Sequence, residues 1–196
     1  MVCHIGTCKL ETERLLLRRF EESDAEMVFN NWTHDEEVTR YVAWPTHRTV
    51  LTTLQIIQEW KKVYHSPRTY QWAIVLKENQ EVIGSISIFN FSTFGSQHEV
   101  SCEFGYCLSK KYWNQGLTTE AAREILKLAF EVIGISKIRA RHDVRNLASG
   151  RVMQKLGMNY ERLLKRACRN GRYQWIDCDI YHLHKDNYFM FKEQIS

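Results

Sequence analysis

Little in this chain would divide it. It has two prolines in 196 residues, no low-complexity tract, no internal repeat and no linker-like stretch. One well-cored domain is expected, and the length does not call for two. No apolar run approaches the about 18 residues of a membrane-crossing helix. The opening MVCHIGTCKL lacks a basic segment followed by an apolar core, so no signal peptide is expected and the chain reads as cytoplasmic. Neither G-x-G-x-x-G nor a Gly-Lys-Ser/Thr phosphate loop is present, which sets aside the common nucleotide-binding designs. The net charge of +4 is mild, so an acidic ligand is permitted and nucleic acid is not an expected partner. Six cysteines, Cys3, Cys8, Cys102, Cys107, Cys168 and Cys178, form no CxxC and no tight Cys/His set. Reduced, mostly buried thiols and no metal are expected.

Chemistry begins between Val100 and Ile133. Val100, Cys102, Phe104, Tyr106 and Leu108 alternate with Ser101, Glu103, Gly105, Cys107 and Ser109, which predicts a strand with two unlike faces. From Leu117 the period changes. Leu117, Ala121, Ile125, Leu128 and Val132 make one helical stripe, with Glu120, Arg123, Glu124, Lys127 and Glu131 outside it. A first helical turn leaves N–H groups unpaired at the positive end of the helix dipole. A glycine just before it, Gly116, lets the backbone approach a ligand. N–H groups from Gln115 to Thr119, with Lys110 and Lys111 nearby, would cradle a pyrophosphate. The same residues also suit an ordinary strand-to-helix turn, and one glycine does not decide between them.

Elsewhere, residues 12–20 read as a strand, and Ser23 with Glu26 as a capping box opening a helix to about Trp32. A short helix or turn follows over 35–42, then an amphipathic helix over 49–64 carrying Leu51, Leu54, Ile57 and Val63. Residues 71–77 and 81–91 form a hairpin, with FSTFGSQHE a loop. Residues 137–144 alternate again. Asn146 is a good N-cap for a helix over 147–156, with Gly157 its stop. Residues 158–168 and 173–184 pair through Arg169-Asn170-Gly171-Arg172, and 186–196 make a short helix or fray.

YWNQGLTTEA followed by NLASGRVMQKLGM resembles the acetyl-CoA-binding loop and following helix of the GNAT superfamily of N-acetyltransferases. The opening ETERLLLRRFEESDAEMV and the glutamate of CEFGYCL are similar to its RimJ/RimL-type branch, which acetylates the N-termini of ribosomal proteins. The resemblance runs over residues 10–185 and implies one α/β (α+β) domain there, with 1–9 and 186–196 as terminal extensions. It implies a mixed, mostly antiparallel, twisted sheet of about seven strands and about four helices, splayed between the strands at 100–108 and 137–144.

Acetyl-CoA is then the implied cosubstrate. Its pantetheine would bond the backbone of Gly105, Tyr106, Cys107 and Leu108, and its pyrophosphate would sit by Trp113, Asn114, Gln115, Gly116, Leu117, Thr118 and Thr119. Asn146 and Ser149 match the branch's N-x-x-S pattern, implying a bond from Asn146 to pantetheine or an ordered water, and contact or proton donation from Ser149 to the thiol sulfur. Trp32, Tyr41 and Trp44 fall on the implied acceptor wall, although core packing is the other use of such aromatics. No metal and no membrane are implied, and a homodimer is one assembly open to the chain.

Acetyl transfer needs a neutral amine, yet an alkyl amine with a pKa of about 10 is mostly protonated at neutral pH. It also needs a hydrogen-bond donor for the oxyanion. Glu103, on an otherwise apolar strand at the splay, is the candidate proton acceptor; a solvated edge glutamate is the alternative. Met153 stands where many family members place a tyrosine acid. The acceptor stays open between a protein N-terminus and a small amine such as a polyamine, aminoglycoside or amino acid. A non-catalytic acyl-CoA sensor is the reading from another class.

Overall fold

The structure is a computed structural model that describes residues 2–95 and 99–195. A short strand outside the expected 12–20, β1 (Leu10–Glu11), precedes β2 (Leu15–Arg18), to which the expected strand is shortened, because the chain turns at Thr12. Its N–H bonds the Leu15 carbonyl at 2.9 Å, and the Leu15 N–H bonds its hydroxyl at 3.0 Å. Asp24 and Glu21, rather than Ser23 and Glu26, make the next capping box. Asp24 accepts the Glu21 N–H at 2.8 Å while both its oxygens grip Arg18. A 3₁₀ turn, α1 (Ala25–Val28) and a π turn (Phe29–Thr33) follow.

Thr49 caps α2 (Val50–Val63) through the Thr52 N–H. Its deepest positions are Thr53 and Ile57, whereas Leu51 and Val63, expected inside, are exposed. Thr53 tolerates burial because its hydroxyl bonds Thr33 Oγ1 at 3.0 Å and His47 Nδ1 at 2.8 Å.

β3 (Tyr70–Leu76), β4 (Glu81–Phe94) and β5 (Glu99–Leu108) come next. β4 runs past its expected end at Phe91 and claims Ser92–Phe94, expected in a loop; Ser96, Gln97 and His98 of that stretch lie outside the described residues. After α3 (Leu117–Lys127) the helix widens into a π turn, Leu128–Ile133. The wider turn shifts the phase, so Ile133 is buried and Val132, expected on the stripe, is 52% exposed. β6 (Lys137–Asp143), α4 (Leu147–Lys155), β7 (Asn159–Arg169), β8 (Trp175–His184) and α5 (Lys185–Ile195) complete the chain.

The strands form one open eight-stranded sheet, ordered β1-β2-β3-β4-β5-β6-β8-β7. Among the described residues it has one strand more than expected, the added β1, and five α-helices rather than about four. All pairings are antiparallel except β5 with β6. That parallel pair holds only at Ser101–Lys137, Cys102–Ile138 and Glu103–Arg139. Beyond Glu103 the strands part, and this splay is the expected one.

Alternation along β5 serves two cores. Cys102, Phe104 and Leu108 pack with α3 and its π turn, while Cys107 joins the smaller core with Val28 and Ile57. Ile125, Phe130 and Ile138 are fully buried in the larger core, each worth about 1.5–3 kcal/mol by burial. No helix among the described residues is long and apolar enough to cross a membrane. Residues 2–9 lie against the body, with the Trp72 indole donating to the Cys8 carbonyl at 2.7 Å.

Candidate active site

At the start of α3 the chain makes two left-handed turns, Asn114 at φ +60° and Gly116 at φ +78°. A Cβ on Gly116 would meet nothing nearer than Arg14 Nη2 at 3.7 Å, so the positive φ, not crowding, demands glycine. The N–H groups of Leu117, Thr118 and Thr119 find no acceptor among the described residues. They open on a cavity of about 580 Å³, lined also by Trp113, Asn114 and Gly116, and by Tyr106, Cys107 and Leu108 from β5. Gln115 does not line it; its side-chain amide donates to the Lys111 carbonyl at 3.1 Å.

The positive charge of the cradle comes from elsewhere than expected. Lys110 and Lys111 are ion-paired with Glu37 and Glu81 and do not line the cavity. Arg151 and Lys155 line it from α4, and neither has a carboxylate partner among the described residues. Their four-residue spacing puts both on one helical face, a signal present in the sequence but overlooked. Orphan N–H groups, a left-handed glycine and three cations without a carboxylate partner among the described residues, Arg40 being the third, fit a pyrophosphate.

A second cavity, about 530 Å³, opens on the face covered by α1 and α2. Ser85, Ser87 and Gly105 give it a floor of small side chains, and Phe89 lies over Gly105, 3.2 Å from where a Cβ would stand. Gly105 therefore faces this cavity, not the first. Trp32, Tyr41 and Trp44 line it, and Trp32 also belongs to the core at 2% exposure. Tyr41, Tyr106, Cys107, Asn146 and Ser149 line both cavities, so the two meet at the splay.

At that junction Asn146 caps α4, its Oδ1 accepting the Ser149 N–H at 3.3 Å. The Ser149 hydroxyl lies 2.8 Å from the Tyr106 hydroxyl. Burial pushes the Tyr106 phenol well above its ordinary pKa, and the Cys107 thiol up to about 12, so both stay protonated. Glu103 is half-buried in the second cavity with Arg141 Nη2 at 3.7 Å. A charged neighbour thus stands beside it, which its expected place on an otherwise apolar strand does not provide. Burial alone would raise the Asp143 carboxyl, but the Arg145 guanidinium and backbone N–H outweigh it and hold it below the usual range. His142 is buried beside them, its Nδ1 bonding the Asp143 carbonyl at 2.8 Å. Met153, at the position of the missing tyrosine, is core. No cluster of three metal-ligating side chains occurs among the described residues.

A profile described as an acetyltransferase (GNAT) domain matches residues 14–159. The chain is 31% identical over 157 residues to the uncharacterized N-acetyltransferase YoaA of Bacillus subtilis (strain 168), covering 80% of this chain and 86% of that one. A GNAT-family acetyltransferase from Bacillus anthracis superposes with a TM-score of 0.75 at 28% identity, over 91% of this chain and 99% of that one. The ribosomal-protein-S5-alanine acetyltransferase of Vibrio fischeri shares the fold, with a TM-score of 0.77 and 20% identity over 92% and 98% of the two chains. Cradle, splay and α4 all fall inside the matched residues, so the chain belongs to the GNAT acetyltransferase family and is an acetyl-CoA-dependent N-acetyltransferase.

Proposed function

We propose that a primary amine enters the second cavity and attacks the thioester directly, in a ternary complex, where the two cavities meet. The observation that carries this reading is the set of residues lining both cavities, Tyr106, Asn146 and Ser149 among them. The N–H groups of residues 117–119, with Arg151 and Lys155, hold the pyrophosphate of acetyl-CoA. Its pantetheine runs along the unpaired edge of β5. Glu103 takes the proton of the amine, directly or through water, and Arg141 offsets its charge. The Tyr106–Ser149 hydroxyl pair donates to the thioester oxygen as charge develops there, and to the departing sulfur. Asn146 fixes the turn that carries Ser149. A cavity of about 530 Å³ takes a small amine whole, or the first residue or two of a protein N-terminus.

Glu103→Gln tests the assignment because it keeps shape and removes the basic oxygen. The rate near neutral pH should fall by about 10²–10⁴-fold, with acetyl-CoA affinity unchanged. High pH should partly restore it, as more amine becomes neutral unaided. A normal kcat with an unaltered pH profile would remove Glu103 from this role.

A further inference from the structure

Two carboxylates line the acceptor cavity, and each already faces a guanidinium. Glu103 has Arg141 at 3.7 Å, and buried Asp143 is held by Arg145. A further guanidinium, Arg169, lies over the Trp175 ring at 5.0 Å and has no carboxylate partner among the described residues. The free charge of the cavity is therefore positive. A polyamine or aminoglycoside brings several ammonium groups, and the water each loses on entry is compensated only where a carboxylate receives it. No unpaired carboxylate is available to do so.

Building on the direct-attack reading above, we infer that the acceptor is a small monoamine bearing a carboxylate, an amino-acid-like compound. Its amine lies at Glu103 and its carboxylate turns toward Arg141 and Arg169. The guanidinium fork matches a carboxylate in shape as well as charge. The body of the acceptor rests on the small-residue floor, where the hydroxyls of Ser85 and Ser87 have no protein partner among the described residues. The alternating order of amine, Glu103, Arg141 and carboxylate leaves no like charges adjacent.

The test is CoA release from acetyl-CoA with free amino acids, their amides, the matching decarboxylated amines, short peptides and spermidine. At least one amino acid should exceed its own amide and decarboxylated amine in kcat/KM by about ten-fold or more, with spermidine poorest. Arg169→Glu, at an exposed position, should abolish that preference while acetyl-CoA affinity holds. Equal or better turnover of the amide, of a peptide N-terminus or of spermidine overturns the inference. Glu103→Gln on the best acceptor separates the two levels. If it keeps full rate, the assignment of Glu103 as proton acceptor in the proposed function falls; if it loses rate while acid and amide are handled alike, only the acceptor class falls.

Discussion

The Tyr106 hydroxyl on β5 stands 2.8 Å from Ser149 Oγ and 3.1 Å from the Ser149 carbonyl oxygen on α4. A single phenol thus spans the gap that β5 and β6 leave open. The family's more common tyrosine would come from α4 itself, at the place Met153 occupies. In the proposed mechanism the phenol used instead, Tyr106, comes from the strand on the other side of the gap.

Tyr106→Phe keeps the ring and removes that link. Turnover should fall toward the about 10²-fold cost of losing one oxyanion donor. Because the two hydroxyls act as a unit, Ser149→Ala should cost a similar factor, and the double variant little more. Steady-state kinetics on the four proteins decide it. Costs that multiply would mean that the hydroxyls act separately.

In the cradle, Gly116→Val places a β-branched residue at φ +78°, which such residues avoid. Acetyl-CoA binding should weaken, as should binding to Arg151→Ala and Lys155→Ala, each by about ten-fold. Lys110→Ala should change little, since that charge is engaged with Glu37. Calorimetric titration with acetyl-CoA and with pantetheine alone is the measurement. Only the former should respond to these substitutions.

Gly150 has a steric reason. A Cβ there would stand 2.9 Å from the Nε2 of buried His142. Glycine to alanine within a helix ordinarily stabilises by up to about 1 kcal/mol. Here Gly150→Ala should instead destabilise by about 1–3 kcal/mol through overpacking. Urea denaturation should show the loss shrinking in a His142→Ala background, where the ring is gone.

Burial lowers the pKa of His47 from its ordinary 6.5, favouring the neutral ring that bonds Thr53. The unfolded chain therefore takes up this proton first as the solution is acidified. Stability should be full above pH 6.5 and decline as pH falls through the lower folded value. His4 and His182 are displaced the same way and add to the slope. Thermal melts between pH 7.5 and 5 should show the fall, with a shallower slope in His47→Gln.

Local periodicity made most strands and helices legible, the paired motifs pointed to the turn at Gly116 and the Asn146–Ser149 cap, and CEFGYCL pointed to Glu103 as a candidate. The misses involve interactions that periodicity does not encode. Leu51 reads as a core position until Thr53 finds buried partners in Thr33 and His47. Val132 reads as buried until a π turn moves the phase by one residue. Lys110 and Lys111 read as cradle charges because Glu37 and Glu81 lie 73 and 30 residues away. The approach of Arg141 to Glu103 depends on the register of two parallel strands joined through a helix, and no window on either strand contains it.

The two faces of β5 also set what can change independently. Leu108 belongs to the core under α3 and Glu103 and Gly105 look into the second cavity, while Phe104 touches both. Under the proposed function Glu103 is fixed by its role, and a substitution at Gly105 would reshape the second cavity while Leu108 keeps its packing under α3. Cys107, lining both cavities, is where that freedom narrows. A one-residue slip of the strand would exchange both sets at once. Point substitution within this strand therefore leaves its two faces in place, and insertion or deletion would not.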